Sequence, residues 1–116
     1  MESYIEITAV DQWQKVLEQS NEKPIVVFKH STTCPISAGA YEEFQAFDKP
    51  IDRYVVKVIE SRPVSNEISV DLGIQHESPQ AFVIANGEAV WNASHRKITK
   101  KELDKATASF SRINGQ

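Results

Sequence analysis

The order of apolar patterns along this 116-residue chain predicts an α/β domain, with a central mixed sheet of about four strands and helices on both faces. The apolar run at residues 25–28 and the β-branched residues of the segment 54–59 predict central strands. The helical pattern between them requires a right-handed crossover and therefore a parallel pair. Asn86-Gly87, between two later apolar runs, predicts an antiparallel hairpin. We expect a single domain over residues 1–116, because this length suits one core.

The first part of the chain predicts one helix between two strand candidates. Residues 4–7 are a candidate for an extra N-terminal edge strand. Residues from 11 to 19 follow the spacing of an amphipathic helix. The positions expected to face inward are Val10, Trp13, Val16 and Leu17. The run at residues 25–28 is apolar throughout, as in a strand covered on both faces.

The middle of the chain predicts a helix, a strand and another helix. The first helix follows Cys34 and is expected to close at Lys49-Pro50. Its expected inward residues are Ile36, Ala40, Phe44 and Phe47. The β-branched residues of the run 54–59 predict the strand. Pro63 is expected to open the second helix and Gly73 to end it. Its inward residues would be Val64, Ile68 and Leu72.

The last third predicts the hairpin and a closing helix. Residues 81–84 and 89–91 are the apolar runs on either side of the Asn86-Gly87 turn. Thr99 and Glu102 have the spacing of a capping box, which marks the start of a helix. The expected inner face of this helix is Leu103, Ala106, Phe110 and Ile113.

Composition and charge exclude several classes of function. The formal net charge of -3 gives no electrostatic reason to bind nucleic acid or an anionic membrane. No apolar run approaches the length of a membrane span, and the polar start of the chain is unlike a secretory signal. The single cysteine cannot form an internal disulfide, which is typical of a reducing compartment. We expect a cytoplasmic monomer.

Cys34 is the candidate nucleophile. It lies between a predicted strand and a predicted helix, and Pro35 suits the first helical position because proline has no N–H to leave unpaired. Free backbone N–H groups and the dipole at a helix N-terminus stabilise a thiolate, which is the reactive form. A lone cysteine is often a buried small hydrophobic residue instead. The neighbouring polar residues 31–33 favour the reactive interpretation.

Because Ser37 stands where a second cysteine would be, Cys34 cannot form a disulfide within its own loop. Dithiol enzymes carry a second cysteine three residues after the first, and here that residue is Ser37. Because the chain has no other cysteine, an external thiol or a reductase must release any group bound to Cys34. The Ser37 hydroxyl either donates a hydrogen bond to the thiolate or is an ordinary polar residue of the first helical turn.

Two segments of the sequence resemble a known family. The first is the loop Thr33-Cys34-Pro35-Ile36-Ser37, which follows Val27-Phe28-Lys29-His30-Ser31 with one residue between, and the second is His76-Glu77-Ser78-Pro79-Gln80. The family that they resemble is the monothiol bacilliredoxins, a YtxJ-type family of the thioredoxin-like superfamily in bacillithiol-using Firmicutes. The resemblance covers nearly the whole chain. It implies a thioredoxin-like fold, in agreement with the element order. It also implies an oxidoreductase that removes bacillithiol from S-thiolated client proteins, with Cys34 as the nucleophile. Bacillithiol would be a co-substrate, and no tightly bound cofactor is expected.

Further residues near Cys34 have expected roles. From their positions beside the cysteine, Pro35, Ser37 and Thr33 would support the thiolate. The resemblance implies that Pro79 is cis and packs against the cysteine, which would leave the backbone of Ser78 free to pair with an extended substrate.

Four charged or titratable residues near the site are open to two interpretations. His76 and Glu77 would contact bacillithiol or would face solvent. Lys29 and His30 would raise the positive potential near Cys34, or would be solvated residues at a strand end.

His95 has no evident partner and is expected to be a surface residue. The scattered histidines do not form a metal site.

Two other functions are compatible with this sequence. A thioredoxin-like module could hold clients at the Pro79 loop, with Cys34 incidental. A monothiol glutaredoxin-type protein could carry an iron–sulfur cluster between two subunits. Pro35-Ile36 stands where those carriers have glycine and phenylalanine, which argues against the second alternative.

Overall fold

The computed structural model describes the backbone of residues 4–114 and the side chains of residues 4–108. The strands are β1 (Tyr4–Glu6), β2 (Ile25–His30), β3 (Asp52–Lys57), β4 (Gln80–Ala85) and β5 (Glu88–Ser94). The helices are α1 (Val10–Gln19), α2 (Pro35–Ala46), α3 (Arg62–Leu72) and α4 (Lys100–Asn114), with a short 3₁₀ helix at His95–Lys97. None of the helices within the described range is long and apolar enough to cross a bilayer.

The strands form one mixed sheet in the order β1-β3-β2-β4-β5. Strands β1, β3 and β2 are parallel, whereas β4 is antiparallel to β2 and β5 is antiparallel to β4. The parallel pair and the hairpin are confirmed, and the candidate edge strand is present. Lys29 pairs with Gln80 across β2 and β4. The loop after β2 and the loop before β4 therefore lie at the same end of neighbouring strands.

Strand β2 contributes to two cores because its side chains alternate between the faces of the sheet. One core contains Ile25 and Val27 with residues of α1 and α3, namely Trp13, Val16, Val64 and Ile68. The other contains Val26 and Phe28 with residues of α2 and α4, namely Ala40, Phe44 and Leu103. The strand is buried on both faces, as its apolar run predicts.

Aromatic stacking holds α2 against β2. The ring of Phe44 lies 5.0 Å from the ring of Phe28, and the ring of Tyr41 lies 4.6 Å from that of His30 with an interplanar angle of 7°. The rings of Phe28 and His30 also stack on each other, at 5.6 Å. Residues one helical turn apart on α2 thus contact residues on one face of β2. These contacts hold the second half of α2 on the sheet, and Cys34 directly precedes the first residue of this helix.

Two turns follow their sequence signals. Asn86 and Gly87 have φ angles of 55° and 76°, as a type I′ hairpin turn requires. Ser20 at the end of α1 holds this turn, since its carbonyl accepts from the Asn86 N–H at 2.8 Å and its hydroxyl from the Gly87 N–H at 2.9 Å. Gly73 ends α3 with φ 66°, a conformation that glycine adopts without a steric penalty.

Three predictions of inward or strand positions are wrong. Val10 is 37% exposed, because it is the first residue of α1. Ile36 is 38% exposed in the first turn of α2, ahead of the residues that pack on the sheet. Ile59 is 51% exposed in a turn, because β3 ends at Lys57 and the chain bends there toward α3.

The end of α2 differs from its predicted position, whereas the start of α4 agrees with its predicted cap. Helix α2 ends at Ala46, before the predicted Lys49-Pro50, and Phe47 is already extended with ψ 120°. The Thr99 hydroxyl accepts from the Glu102 N–H at 3.1 Å, in agreement with a cap at the start of α4. The predicted inward side chains of Phe110 and Ile113 lie outside the described residues.

We predict that Phe44→Ala lowers the free energy of unfolding by about 3–5 kcal/mol, because it removes a fully buried ring and leaves a cavity beside Phe28. Urea unfolding would measure the loss. Val70→Ala is the control, since Val70 is 74% exposed on α3 and its truncation is expected to cost less than about 0.5 kcal/mol. Equal losses in the two variants would contradict this description of the core.

Candidate active site

Cys34 occupies the N-cap position of α2. Its backbone is extended, with φ -105° and ψ 123°, and its carbonyl accepts from the Ala38 N–H at 3.0 Å. Pro35 opens the helix, as predicted. The thiol is half-buried and makes no capping hydrogen bond. The first N–H groups of a helix have no partner within it, so they are available to stabilise negative charge at this position.

Ser37 is fully buried and holds the loop that carries Cys34. Its Oγ accepts from the Ser31 N–H at 2.9 Å and lies 2.7 Å from Nδ1 of His30. It therefore joins the first turn of α2 to the end of β2. This burial was not predicted, because a serine in a first helical turn is usually solvated.

His30 controls the direction of the Ser37 hydrogen bond. Burial, followed by the charge of Lys57, lowers the pKa of His30 below its ordinary value, and Glu60 opposes this shift. The ring is therefore neutral near neutral pH. If Nδ1 carries the proton, it donates to Ser37, and the serine hydroxyl keeps its own hydrogen for another acceptor. If Nε2 carries the proton, Ser37 must donate to His30.

The loop before β4 is the second part of the site. The Ser78–Pro79 peptide bond is cis, and Pro79 is buried. The side chain of Gln80 holds this loop, since its Nε2 donates to the Gln75 carbonyl at 3.1 Å and its Oε1 accepts from the Glu77 N–H at 3.2 Å. Within the described part of the chain, no backbone hydrogen bond involves Ser78, and its buried Oγ has no partner.

Lys29 was expected either to be solvated at a strand end or to raise the positive potential near Cys34, and the first of these expectations is wrong. Its side chain is fully buried on the α1 and α3 side of the sheet, whereas α2 packs on the other side. Its Nζ donates to the Ser65 carbonyl at 2.9 Å and to the Ser69 hydroxyl at 3.1 Å. Burial lowers the pKa of Lys29 to about 8.

The third partner of Lys29 is His76, in the loop before Pro79. The Lys29 Nζ lies 3.2 Å from His76 Nδ1. Burial, followed by the charges of Lys29 and Arg62, lowers the pKa of His76, and Glu77 opposes this shift. Because the ammonium has only donors, Nδ1 must accept and the neutral ring carries its proton on Nε2. A buried cation thus holds one end of the Pro79 loop.

His95 was expected to be a surface residue without a partner. It lies at the surface, but it has two partners in the Pro79 loop. The side chain is exposed, yet its Nε2 lies 3.5 Å from Oε1 of Glu77. Its backbone N–H donates to the Pro79 carbonyl at 3.1 Å. Its φ of 57° is uncommon for a residue with a side chain. The histidine therefore joins the end of β5 to the Pro79 loop.

The predicted site residues divide into two groups at one end of the sheet. The Cys34 loop holds Pro35 and the buried Ser37, and the Pro79 loop holds Ser78, His76 and Glu77, both histidine and glutamate being half-buried. Thr33 is exposed, and its side chain makes no hydrogen bond to other described residues. The contribution of His95 was not predicted, because nothing in the sequence marks this histidine as a residue with positive φ.

We predict that alkaline pH stabilises the protein through Lys29. The unfolded chain keeps the Lys29 proton up to its ordinary pKa of about 10.4, whereas the folded protein releases it near pH 8. Unfolded chains thus bind more protons in this window, so the free energy of unfolding rises with pH. Between about pH 7 and about pH 9.5 we expect a gain of roughly 1–2 kcal/mol from this residue.

Urea unfolding at both pH values would measure this gain. Lys29→Met is the reference variant, because its pH dependence reports all other groups. A wild type that gains no more stability than Lys29→Met would contradict the lowered pKa.

Solved structures support the fold. A protein assigned, without an established activity, to the thioredoxin-fold oxidoreductases matches with a TM-score of 0.83 and 40% identity, over 90% of this chain and 93% of that one. Thioredoxin from Malassezia sympodialis matches with a TM-score of 0.75 and 22% identity, over 96% and 93% of the two chains. Fasciola hepatica thioredoxin gives 0.73 and 16%, over 91% and 98%. The last two similarities concern the fold alone.

The family comparison is more specific. The family model described as monothiol bacilliredoxin BrxC matches residues 5–103, which include both loops of the site. This match agrees with the resemblance of the Cys34 and Pro79 segments. The chain therefore belongs to the monothiol bacilliredoxin family and is a thiol oxidoreductase with a thioredoxin-like fold.

Proposed function

We propose that this protein removes bacillithiol from S-bacillithiolated client proteins through a mixed disulfide on Cys34. The observation that carries the proposal is the position of the only cysteine in the chain, half-exposed at the N-cap of α2, with Ser37 where a second thiol would stand. The loop that holds Pro79 lies at the same end of the neighbouring strand. The reducing cytoplasm is the compartment that we expect.

The reaction transfers a disulfide in two steps. The Cys34 thiolate attacks the bacillithiol sulfur, the bond to the client sulfur breaks, and the client leaves as a thiolate that takes up a proton from water. Cys34 then carries bacillithiol. A free low-molecular-weight thiol attacks this disulfide and releases Cys34, with a small-molecule disulfide as product, or a partner reductase supplies the two electrons. Ser37 has no thiol with which to perform this second step.

The Pro79 loop would bind the client. Its unpaired backbone at Ser78 has an N–H and a carbonyl to offer, so an extended client segment can add to it as a strand does. The Lys29–His76 contact and the Glu77–His95 contact hold this loop before the client arrives. Preorganised groups cost less conformational entropy on binding. The Nε2–H of His76 would remain a donor for polar groups of bacillithiol.

Three residues beside Cys34 would support the thiolate. Pro35 fixes the start of α2 and adds no competing N–H. Ser37 would donate to the sulfur when His30 carries its proton on Nδ1 and donates to the Ser37 oxygen. Thr33 is exposed beside the thiol, where its hydroxyl is free to approach the incoming disulfide.

We predict that, without added thiol, each protein molecule releases one equivalent of client thiol and then stops, because the chain has one cysteine. Added bacillithiol should restore repeated turnover. Quantifying free client thiol against time on an S-bacillithiolated model protein would measure both phases. Cys34→Ser should release no client thiol. Continued release beyond one equivalent without any thiol or reductase would overturn the monothiol mechanism, whereas binding of clients without release would favour the binding-module alternative.

We predict that Ser37→Ala slows alkylation of Cys34 by iodoacetamide at neutral pH by about threefold to tenfold, because the thiolate loses a hydrogen-bond donor. Ser61→Ala is the matched control, a buried serine at the N-cap of α3. Circular dichroism would show that both variants are folded. An unchanged alkylation rate in a folded Ser37→Ala variant would contradict a hydrogen bond from Ser37 to the thiolate. Ser37 would then only hold the loop that carries Cys34, through its bond to the Ser31 N–H.

A further inference from the structure

An open groove of about 350 Å³ begins next to the nucleophile. Pro35 and Ile36, the two residues that follow Cys34, line one end of it. His95 and Arg96 line the opposite wall, so the groove lies between the start of α2 and the 3₁₀ helix after β5. Cys34 itself does not line the groove, but Pro35, which directly follows it in the chain, does.

Arg96 is the cation of this groove that has no other role in the fold. The residue is exposed, and it forms no ion pair or hydrogen bond with the rest of the described chain. The other two titratable side chains of the groove, Glu43 and His95, have partners elsewhere in the chain. One carboxylate oxygen of Glu43 accepts from the Lys100 N–H at 2.7 Å, at the start of α4, and the His95 ring lies against Glu77. The groove therefore offers an uncommitted guanidinium to an anion.

The position of Arg96 is well defined by its backbone. The preceding residue, His95, has φ 57° and donates its N–H to the Pro79 carbonyl at 3.1 Å. The His95 carbonyl accepts from the Ile98 N–H at 3.3 Å, which closes the 3₁₀ turn around Arg96. The arginine is thus placed by the same contact that holds the Pro79 loop.

Gly39 keeps the groove open on the α2 side. It lies inside the helix, where glycine is less stable than alanine. A Cβ atom built on Gly39 would meet no atom within 4 Å, so packing does not explain the missing side chain. The residue lines the groove, and a longer side chain there would project into the open volume.

We propose that this groove binds the carboxylate-bearing part of the low-molecular-weight thiol while its sulfur reacts at Cys34, with Arg96 as the residue that selects for the carboxylate. The inference rests on the proposed function and specifies its co-substrate: a thiol that carries a carboxylate on an arm extending away from the sulfur. A guanidinium binds a carboxylate through two parallel N–H donors, which a lysine cannot reproduce.

A second groove that Arg96 borders does not fit this role. It runs along β5 and contains Trp91, Asn92 and Lys97. No residue of the Cys34 loop lines it, whereas Pro35 and Ile36 line the first groove, so we assign the group bonded to the Cys34 sulfur to the first groove. Lys97 lies in the second groove and is absent from the first, which makes it a matched control for a cation of the same turn.

The test compares two small disulfides on the full chain. Bacillithiol disulfide carries carboxylates, and hydroxyethyl disulfide is neutral. Intact mass against time would give the rate of adduct formation on Cys34 for the wild type, Arg96→Ala, Arg96→Lys and Lys97→Ala. We expect Arg96→Ala to slow the reaction with bacillithiol disulfide by about threefold to tenfold and to leave the neutral disulfide unaffected. Arg96→Lys should recover part of this rate, and Lys97→Ala should match the wild type.

Gly39→Leu provides an independent variant that leaves Arg96 in place. This variant should also slow the reaction of Cys34 with bacillithiol disulfide more than its reaction with hydroxyethyl disulfide, because the leucine side chain fills the groove. Leucine is a good helix former, so we expect α2 to remain intact. Equal effects of Arg96→Ala on the two disulfides, or no effect on either, would overturn the carboxylate subsite and leave the function of Cys34 intact. A wild type that reacts with neither disulfide faster than free cysteine does would overturn the proposed function itself.

Discussion

The site depends on the alternation of side chains at the end of β2. His30 points to the α2 face and contacts Ser37, which holds the loop that carries Cys34. Lys29, the preceding residue, points to the opposite face and contacts His76 in the Pro79 loop. Because neighbouring residues of a strand face opposite sides of the sheet, one short segment fixes both loops of the site. A shift of one residue in the register of β2 would exchange the two contacts and disrupt both.

The electrostatics of the site follow from this arrangement. The buried ammonium of Lys29 has three acceptors, which compensates for its removal from water. The burial of His76, followed by the charge of Lys29, lowers the pKa of His76, and burial of His30 lowers its pKa likewise. The neutral rings of His76 and His30 hydrogen-bond Lys29 and Ser37, and these contacts position the Pro79 loop and the Cys34 loop.

The sequence predicts those features that depend on local pattern. The two central strands, the Asn86-Gly87 turn and the proline at the start of α2 follow from apolar periodicity and from backbone preferences. The burial of Lys29 could not be predicted, because its acceptors come from α3 and from the loop before β4, which are distant along the chain. The groove beside Arg96 likewise forms only where α2 meets the 3₁₀ helix after β5, and the backbone of His95 contacts Pro79, which is distant along the chain.

The central claim is that Cys34 takes the small thiol and releases the client reduced. Intact mass spectrometry of the protein after brief exposure to an S-bacillithiolated client, followed by peptide mapping, tests this claim most directly. We predict an adduct of bacillithiol on Cys34 together with client that has lost its modification. A disulfide between Cys34 and the client cysteine, with free bacillithiol in solution, would show that the thiolate attacks the other sulfur and would contradict the account.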